Sequence, residues 1–556
     1  MRLVTSRIFL LVLVVAVIAV ACDGGDESSQ PALTDSSGSQ TTDGAIPTTS
    51  DSPTTDPATS PATTRPISAE ELDVTLDVVP MPAHVTEVQL PWWTTDGDAI
   101  VLSARSSEFP GMQIVRVAPD GSDFACLTCG IASGEPPLMK PIAFDDGSRV
   151  MVRVGNQTPF TNGEHAVLEC TPSVARCDAA ELVPVDVPVD DLVVQPQREF
   201  RVAPGGERVG FTQMRPNGRG DPVYVSVVAG LQRDEDRYQL VDPRVISHRG
   251  ELKQFSPDGT VAYVSSFVEG PEAGNGDVIA VDLATGDEAR VTWYPDYDEP
   301  VESSADGRWF TVGSARTAEI FEPIAQVRRP NVIGAAISPL ALYLFNTYRD
   351  ELLEPWLITL DGEAAGELGL LLNPGSVAEG WEGRMIPNWN PDGRRIVFWE
   401  AANDSTPGSA DAGSRVVIST LDGIGDPAPA PSPQLPDLSW APPLIGYAPP
   451  ASAVPPSRDG DVSGTMEVTV TDTGDLTITV AYTDFSDDGT WVLDGTETIF
   501  NSGGPTGQLT YSADLTLSGE HSGFLRAIDV DGTALDGFTG RIESEVDGRA
   551  AELVLD

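Results

Sequence analysis

Lysine is almost missing from this chain: Lys140 and Lys253 are the only two among 556 residues. Against 84 acidic side chains stand only 33 Lys and Arg together, leaving a formal net charge of −51. That balance excludes nucleic acid as a partner, because binding through phosphates requires a basic face. Its plain reading is solubility in an extracellular or salty setting; a cationic or metal-ion surface is the functional one. Histidine is nearly as scarce. His84, His165, His248 and His521 lie far apart, with no triad or metal-ligand spacing among them. Five cysteines are present, and long apolar runs are confined to one, at the N-terminus.

That run has the layout of a signal peptide. Met1-Arg2-Leu3 and Arg7 give a short basic region, Ile8 to Ala19 an apolar stretch too short for a comfortable membrane span, and Ala19-Val20-Ala21-Cys22 small residues before a cysteine. The last four resemble the lipobox of bacterial lipoproteins, departing at Ala19 from the usual leucine. The resemblance implies removal of residues 1–21, lipidation of Cys22, and an exported protein anchored in the cell membrane, facing the periplasm or cell exterior. Plain secretion is the alternative. Buried acyl carbon contributes about 0.8 kcal/mol per methylene to such an anchor. Residues 22–70 are Ser, Thr, Pro, Asp and Gly with almost nothing apolar. They cannot bury enough surface to offset ordering entropy, and read as a tether.

The other four cysteines are Cys126, Cys129, Cys170 and Cys177. An even number in an exported chain points to two disulfides. Cys170 and Cys177 flank a short loop and look like a staple, while Cys126-Leu127-Thr128-Cys129 would pair locally. A redox or zinc role for this CxxC has no second CxxC or paired histidine near it in sequence.

What the chain holds in quantity is a repeated phrase. Its fullest copy is Trp389-Asn390-Pro391-Asp392-Gly393 before Arg395-Ile396-Val397-Phe398-Trp399. Asp-Gly suits a tight hairpin, and the β-branched and aromatic run suits a half-buried strand. Further copies carry Asp96-Gly97, Asp146-Gly147, Gly205-Gly206, Asp258-Gly259 and Asp306-Gly307, each before a similar strand. A worn version is read at Ile337-Ser338-Pro339 before Leu342-Tyr343-Leu344-Phe345. Asp96, Asp146, Gly205, Asp258 and Asp306 are spaced 50, 59, 53 and 48 residues apart. A period of roughly 40 to 50 residues of short strands and turns marks a β-propeller, in which no blade buries its faces alone. Six or seven blades are expected over residues 71–425. Leu72, Val74, Leu76 and Val78 alternate with polar residues in a strand that would close the ring.

A second phrase alternates with the first. Gln113-Ile114-Val115-Arg116-Val117 leads through Gly121 to Leu127-Thr128, and Val278-Ile279-Ala280-Val281 leads through Gly286 to Val291-Thr292. The alternation of a Ser-Pro-Asp-Gly turn and strand with this hairpin resembles the WD40-like (PD40) repeats of TolB-type β-propellers, over about residues 85–425. It implies a periplasmic or surface propeller that binds proteins. The small α/β domain that precedes the TolB propeller is replaced here by the tether. Prolyl-oligopeptidase peptidases carry a similar propeller beside an α/β-hydrolase domain, but this chain has no Gly-x-Ser-x-Gly nucleophile turn.

Residues 426–456 shift to Pro, Ala and Ser, a stiff linker whose Leu438-Ser439-Trp440 and Leu444-Ile445-Gly446-Tyr447 are apolar enough to pack on the propeller wall. Residues 457–556 alternate with period two between Gly and Asp turns, a small antiparallel β-sandwich or barrel. Asp529, Asp531 and Asp536, and Asp484, Asp487 and Asp488, offer clustered oxygens of the calcium-ligand type, but neither set completes an EF-hand loop. Asp-Gly is also the ordinary hairpin dipeptide, so these and the blade aspartates read as turn residues. Trp92-Trp93 and Trp293-Tyr294 suit either a sugar-binding mouth or inter-blade core. With 84 acidic residues, sequence alone cannot choose a catalytic carboxylate pair. The expectation is an all-β, non-catalytic protein-binding or scaffold propeller at the cell envelope, with no cofactor and no metal, and with an envelope protein as partner. An enzyme or binding protein acting on cell-wall or environmental polysaccharide is the alternative, with a glycan as its ligand.

Overall fold

The computed structural model describes residues 68–155, 163–218, 222–267, 276–334, 336–348, 351–402, 413–425, 429, 431–450, 454–472, 475–502 and 506–555. Cys22, the apolar run and most of the tether lie outside the described residues.

The Asp-Gly turns set the architecture. Gly97, Gly147, Gly259, Gly307 and Gly393 all sit at φ between 66° and 73°, where a side chain is strained and glycine is not. The neighbouring side chains lock the aspartates. The hydroxyls of Thr94, Ser256 and Ser304 donate to Asp96, Asp258 and Asp306 at 2.6 Å each. Arg149 and Arg395 donate to Asp146 and Asp392 at 2.5 Å. Turns of neighbouring blades also touch: Asn390 Nδ2 donates to Gly97 O at 2.9 Å, Thr95 Oγ1 to Phe144 O at 2.8 Å, and Gly205 N to Asp145 Oδ2 at 2.7 Å.

Each turn joins the first two strands of an antiparallel four. Among the described residues there are six such fours, opening with Val85–Trp93, Leu138–Ala143, Gln195–Val202, Gly250–Phe255, Asp298–Ser303 and Trp381–Trp389. In the last of them Asp73–Val78 supplies the outer strand, antiparallel to Ser414–Asp422, so the two ends of the propeller share one sheet and leave no open edge between them. Each opening strand contacts the opening strand of the next four, and Trp381–Trp389 contacts Val85–Trp93. They therefore form a closed ring around the propeller axis.

Between Asp306 and Asp392 the structure departs from the repeat reading. The segment around Ile337 is not a worn turn and strand. Ser338–Thr347 is an α-helix, here α2, preceded by a short helix α1 at Glu322–Ala325. Pro339 stands in the first turn of α2, where its missing N–H costs nothing. Ile337, Leu340, Ala341, Leu344 and Phe345 fall on one helical face, and all are buried. Both helices belong to an insertion, residues 315–353, between the strands Phe310–Ser314 and Glu354–Ile358 of a single blade.

Residues 458–555 form one eight-stranded antiparallel sheet in chain order, from Arg458–Asp459 to Arg549–Leu555. In Gln508–Gly519 burial alternates strictly, with Leu509, Tyr511, Ala513, Leu515 and Leu517 inward. That inner face packs on the insertion: Ile324, Val327, Ile333, Leu340 and Leu344 share one core with Ile478, Val480, Ile499, Leu515 and Ile542. At its centre a fully buried Arg329 donates to Glu497 at 3.1 Å and 3.2 Å, and to the carbonyls of Ile324 and Val327. The Tyr482 and Tyr511 hydroxyls complete the carboxylate's partners at 3.2 Å and 3.0 Å.

The Pro-rich segment lies on the propeller wall. Leu438 and Ala441 pack with Phe255 and Leu283, and Leu444 with Val227 and Tyr238. Trp440 Nε1 donates to Leu283 O at 3.0 Å. Its ring lies so close to Gly286 that a Cβ there would meet it at 2.7 Å.

Candidate functional site

The ring of opening strands is where a propeller gathers side chains from all its blades. Every one of the six strands carries a register shift near its middle. A bulge re-aims one residue out of the ladder. The residues at these breaks include Leu90, Lys140, Glu199, Lys253, Glu299 and Ile386, one per blade. Leu90, Lys140, Glu199 and Ile386 have φ of 52°, 55°, 53° and 64°, the left-handed region that non-glycine residues rarely occupy. Four equivalent positions sharing that conformation make it a feature of the repeat.

Both lysines of the chain stand in this ring, each bridging to the next blade. Lys140 Nζ lies 3.0 Å from Glu199, which also takes Arg201 at 2.8 Å. Lys253 Nζ pairs with Glu251 at 2.6 Å and with Glu299, whose other oxygen takes the Tyr297 hydroxyl and Ser265. Arg198 meets Glu251 at 2.9 Å. All of these charged groups are buried. Burial pulls Lys140 down to about 8, while the Glu199 carboxyl is held well below its usual range against its own burial by Lys140, Lys253, Arg201 and Arg198. The pair is thus charged near neutral pH and satisfied from within.

One end of this ring is covered. Leu90, Met139, Met385, Ile386 and Tyr297 belong to the same core as Phe321 and Phe345 of the insertion, with the C-terminal sheet beyond. Tyr297 meets the Phe345 ring edge-on at 4.8 Å.

A second group of acids, Asp296 and Glu354 buried and Glu302 half-buried, lies nearby without a full set of cations. Glu302 accepts from Asn388 Nδ2 at 2.9 Å and 3.0 Å and from Trp389 N at 3.2 Å, and burial pushes it up to about 8. Glu354 accepts from Asn373 and from Gly383 N and is pushed up to about 8 for the same reason. Asp296, fully enclosed and accepting from the Tyr297 and Phe321 amides, rises to about 7.

An accessible concavity lies elsewhere, where propeller, insertion and C-terminal sheet meet. This cleft of about 310 Å³ has Trp293 and Trp491 in its walls, with Glu322, Gln326, Arg328 and Arg549. Arg549 Nε lies 2.6 Å from Glu322, whose other oxygen accepts from the Tyr294 hydroxyl at 3.2 Å.

The residues singled out in sequence have dispersed roles. Cys126–Cys129 and Cys170–Cys177 are disulfide-bonded. Trp93 is buried and Trp92 packs against two inter-blade cores and the core shared by the insertion and the C-terminal sheet, whereas Trp293 reaches the cleft. His165 is buried against Phe200 at 4.1 Å and is pushed down to about 3 by burial, with Arg153 and Lys140 adding to it. His84, His248 and His521 are spread over separate partners, Glu108, Tyr447 and Asp547. Asp487 pairs with Arg458 at 2.6 Å and Asp488 accepts from the Thr490 and Trp491 amides, both holding a hairpin. Asp531 accepts from Gln508, and Asp536 from Thr533 at 3.0 Å. Among the described residues no group of three His, Cys, Asp or Glu is placed to hold a metal ion, and no helix is long and apolar enough to cross a membrane.

Sequence reasoning missed the ring. Aligned on the turn, Leu90, Lys140, Glu199 and Ile386 each stand six residues before Asp96, Asp146, Gly205 and Asp392, and three of the four precede a proline. That offset was the available signal. The cleft left none, since its walls come from segments about 200 residues apart.

No family model matches the chain, and neither does any curated protein. Among solved structures it is similar to a putative TolB from Agrobacterium tumefaciens, at 15% identity over 51% of this chain and 75% of that one, with a TM-score of 0.32. TolB from Acinetobacter baumannii is similar at 13% identity over 60% and 65%, TM-score 0.32. An oligogalacturonate lyase in complex with manganese is similar at 10% identity over 63% and 97%, TM-score 0.33. Likenesses this distant carry no function across; the propeller rests on the sheet order and the closed ring of opening strands.

Proposed function

We propose that this chain is a non-catalytic binding or scaffold protein of the cell envelope, held to the membrane through Cys22 and reaching outward on its tether. One observation carries the reading. Lys140, Lys253, Arg198, Arg201, Glu199, Glu251 and Glu299, on the opening strands around the propeller axis, are consumed in internal ion pairs, and one end of that axis is covered by the insertion and the C-terminal sheet. A carboxylate that works as acid, base or ligand must be reachable by substrate, and these are spent on structure. The polysaccharide-cleaving alternative needs an open mouth of converging acids, which this axis does not offer at its covered end. The two disulfides fit an oxidising, extracytoplasmic setting.

Two measurements test it. Incubation of the purified full-length protein with pectic, xylan and peptidoglycan substrates should release neither new reducing ends nor unsaturated products; turnover would move the protein to the enzyme reading. Replacing Cys22 by Ala should shift the protein from the membrane fraction to the soluble exported fraction, and retention in the membrane would refute the anchor.

A further inference from the structure

We propose that the cleft between Trp293 and Trp491 is a binding site for a neutral, polyhydroxylated ligand, a glycan segment of one or two sugar rings. This rests on the non-catalytic binding reading and names the ligand class for one site of it.

The walls come from three parts of the chain. Trp293 stands on the loop between two blades, Glu322, Gln326 and Arg328 on and after α1 of the insertion, and Trp491 and Arg549 on the C-terminal sheet. The volume, about 310 Å³, is at the small end of ligand sites, roughly 300–1,000 Å³. It suits a small ring, and it is too small to receive a folded surface.

The side chains select the chemistry. Both tryptophans are held in fixed planes: the Arg290 guanidinium lies 4.4 Å from the Trp293 ring centre, and His521 stacks on Trp491 at 4.5 Å. His521 is itself held by Asp547 at 2.6 Å. Arg328 lies 5.3 Å from the Trp491 ring. Held aromatic rings beside amide, carboxylate and guanidinium groups give the cleft apolar and hydrogen-bonding surface together. A pyranose ring presents the complement, C–H bonds on its faces and hydroxyls around its edge.

Charge argues for a neutral ligand. Arg549 is already balanced by Glu322 at 2.6 Å, and Asp547 also lines the cleft, so its positive charge is not in excess. At long range the formal charge of −51 repels a polyanion. A purely apolar ligand would take the charged groups Glu322, Arg328, Asp547 and Arg549 out of water, which is costly even for paired charges.

The test uses the intact protein and three neutral trisaccharides: cellotriose, maltotriose and tri-N-acetylchitotriose. Binding is followed by tryptophan fluorescence and by calorimetry. At least one trisaccharide should bind, and Trp293→Ala and Trp491→Ala should each weaken it by about tenfold or more. Trp440→Ala, in a ring that packs on Gly286 outside the cleft, should leave affinity unchanged, with melting temperatures confirming that all three variants fold. The site is overturned if none of the three binds at about 10 mM, or if binding survives both cleft substitutions. Failure here with a protein partner captured on the full chain would leave the binding reading standing. Cleavage of a bound trisaccharide would overturn that reading instead.

Discussion

Replacing Arg329 by Met removes one member of a fully buried ion pair and should destabilise the unit formed by the insertion and the C-terminal sheet. The Glu497 carboxylate would keep only the Tyr482 and Tyr511 hydroxyls. The carbonyls of Ile324 and Val327 would lose their shared donor at the end of α1. Breaking a buried pair by removing one partner costs about 3–5 kcal/mol, because an uncompensated charge stays inside. For a unit of this size each kcal/mol moves the melting point by about 2–4 °C, so a fall of about 10 °C is expected. Differential scanning calorimetry reads it directly. The double variant Arg329→Met with Glu497→Leu removes both charges and should recover part of the loss, since apolar replacement of a whole pair is often close to neutral. A single variant melting within about 2 °C of the parent, or a double variant no better than the single, would refute the account of how the sheet is held.

Three further outcomes follow from the interior. Lys140 and Lys253 should take no label from an amine-reactive ester in the native protein and take it readily in urea, read by peptide mass spectrometry; native labelling at either would contradict the closed ring. Glu302 and Glu354 are both pushed up to about 8 from an ordinary 4.5, so the folded state holds their protons more tightly than the unfolded one. Their contribution is full below about pH 4.5 and is lost as pH rises through about 8. Urea unfolding between pH 5 and 9 should therefore show falling stability that flattens in Glu302→Gln, and an unchanged slope in that variant would count against it. Asn390→Ala, which removes the bond to Gly97 O and the support of Asp392 N, should cost about 1–2 kcal/mol by the same denaturation; no measurable change would show that this turn contact does not hold the first and last blades.

The propeller was legible because its turns obey a local rule. Asp-Gly before a β-branched run needs nothing from the rest of the chain, so each blade announced itself, and the strand at Leu72 to Val78 showed its alternation. In the insertion Ser338-Pro339 imitates a blade turn but opens a helix. The spacing of Ile337, Leu340, Ala341, Leu344 and Phe345 carries the helical period, and the long gap between Asp306 and Asp392 has room for it. The C-terminal strands were readable one by one, but what their inner face covers was not. Hydrophobic periodicity says that a face is buried and is silent about its partner. Lys140 and Lys253 stand out in the sequence by rarity, which speaks of charge and not of position. Their place in the ring needed the bulges, which are a property of paired strands.

The most direct test of the account is in-cell cross-linking of the full-length protein followed by mass spectrometry of what is joined to it. The chemistry should be photo-reactive or carboxyl-directed, because both lysines are buried. A protein partner joined reproducibly through propeller residues, with no polysaccharide turnover by the purified protein, is the predicted result. Cross-links to no protein, together with cleavage of a polysaccharide, would contradict it.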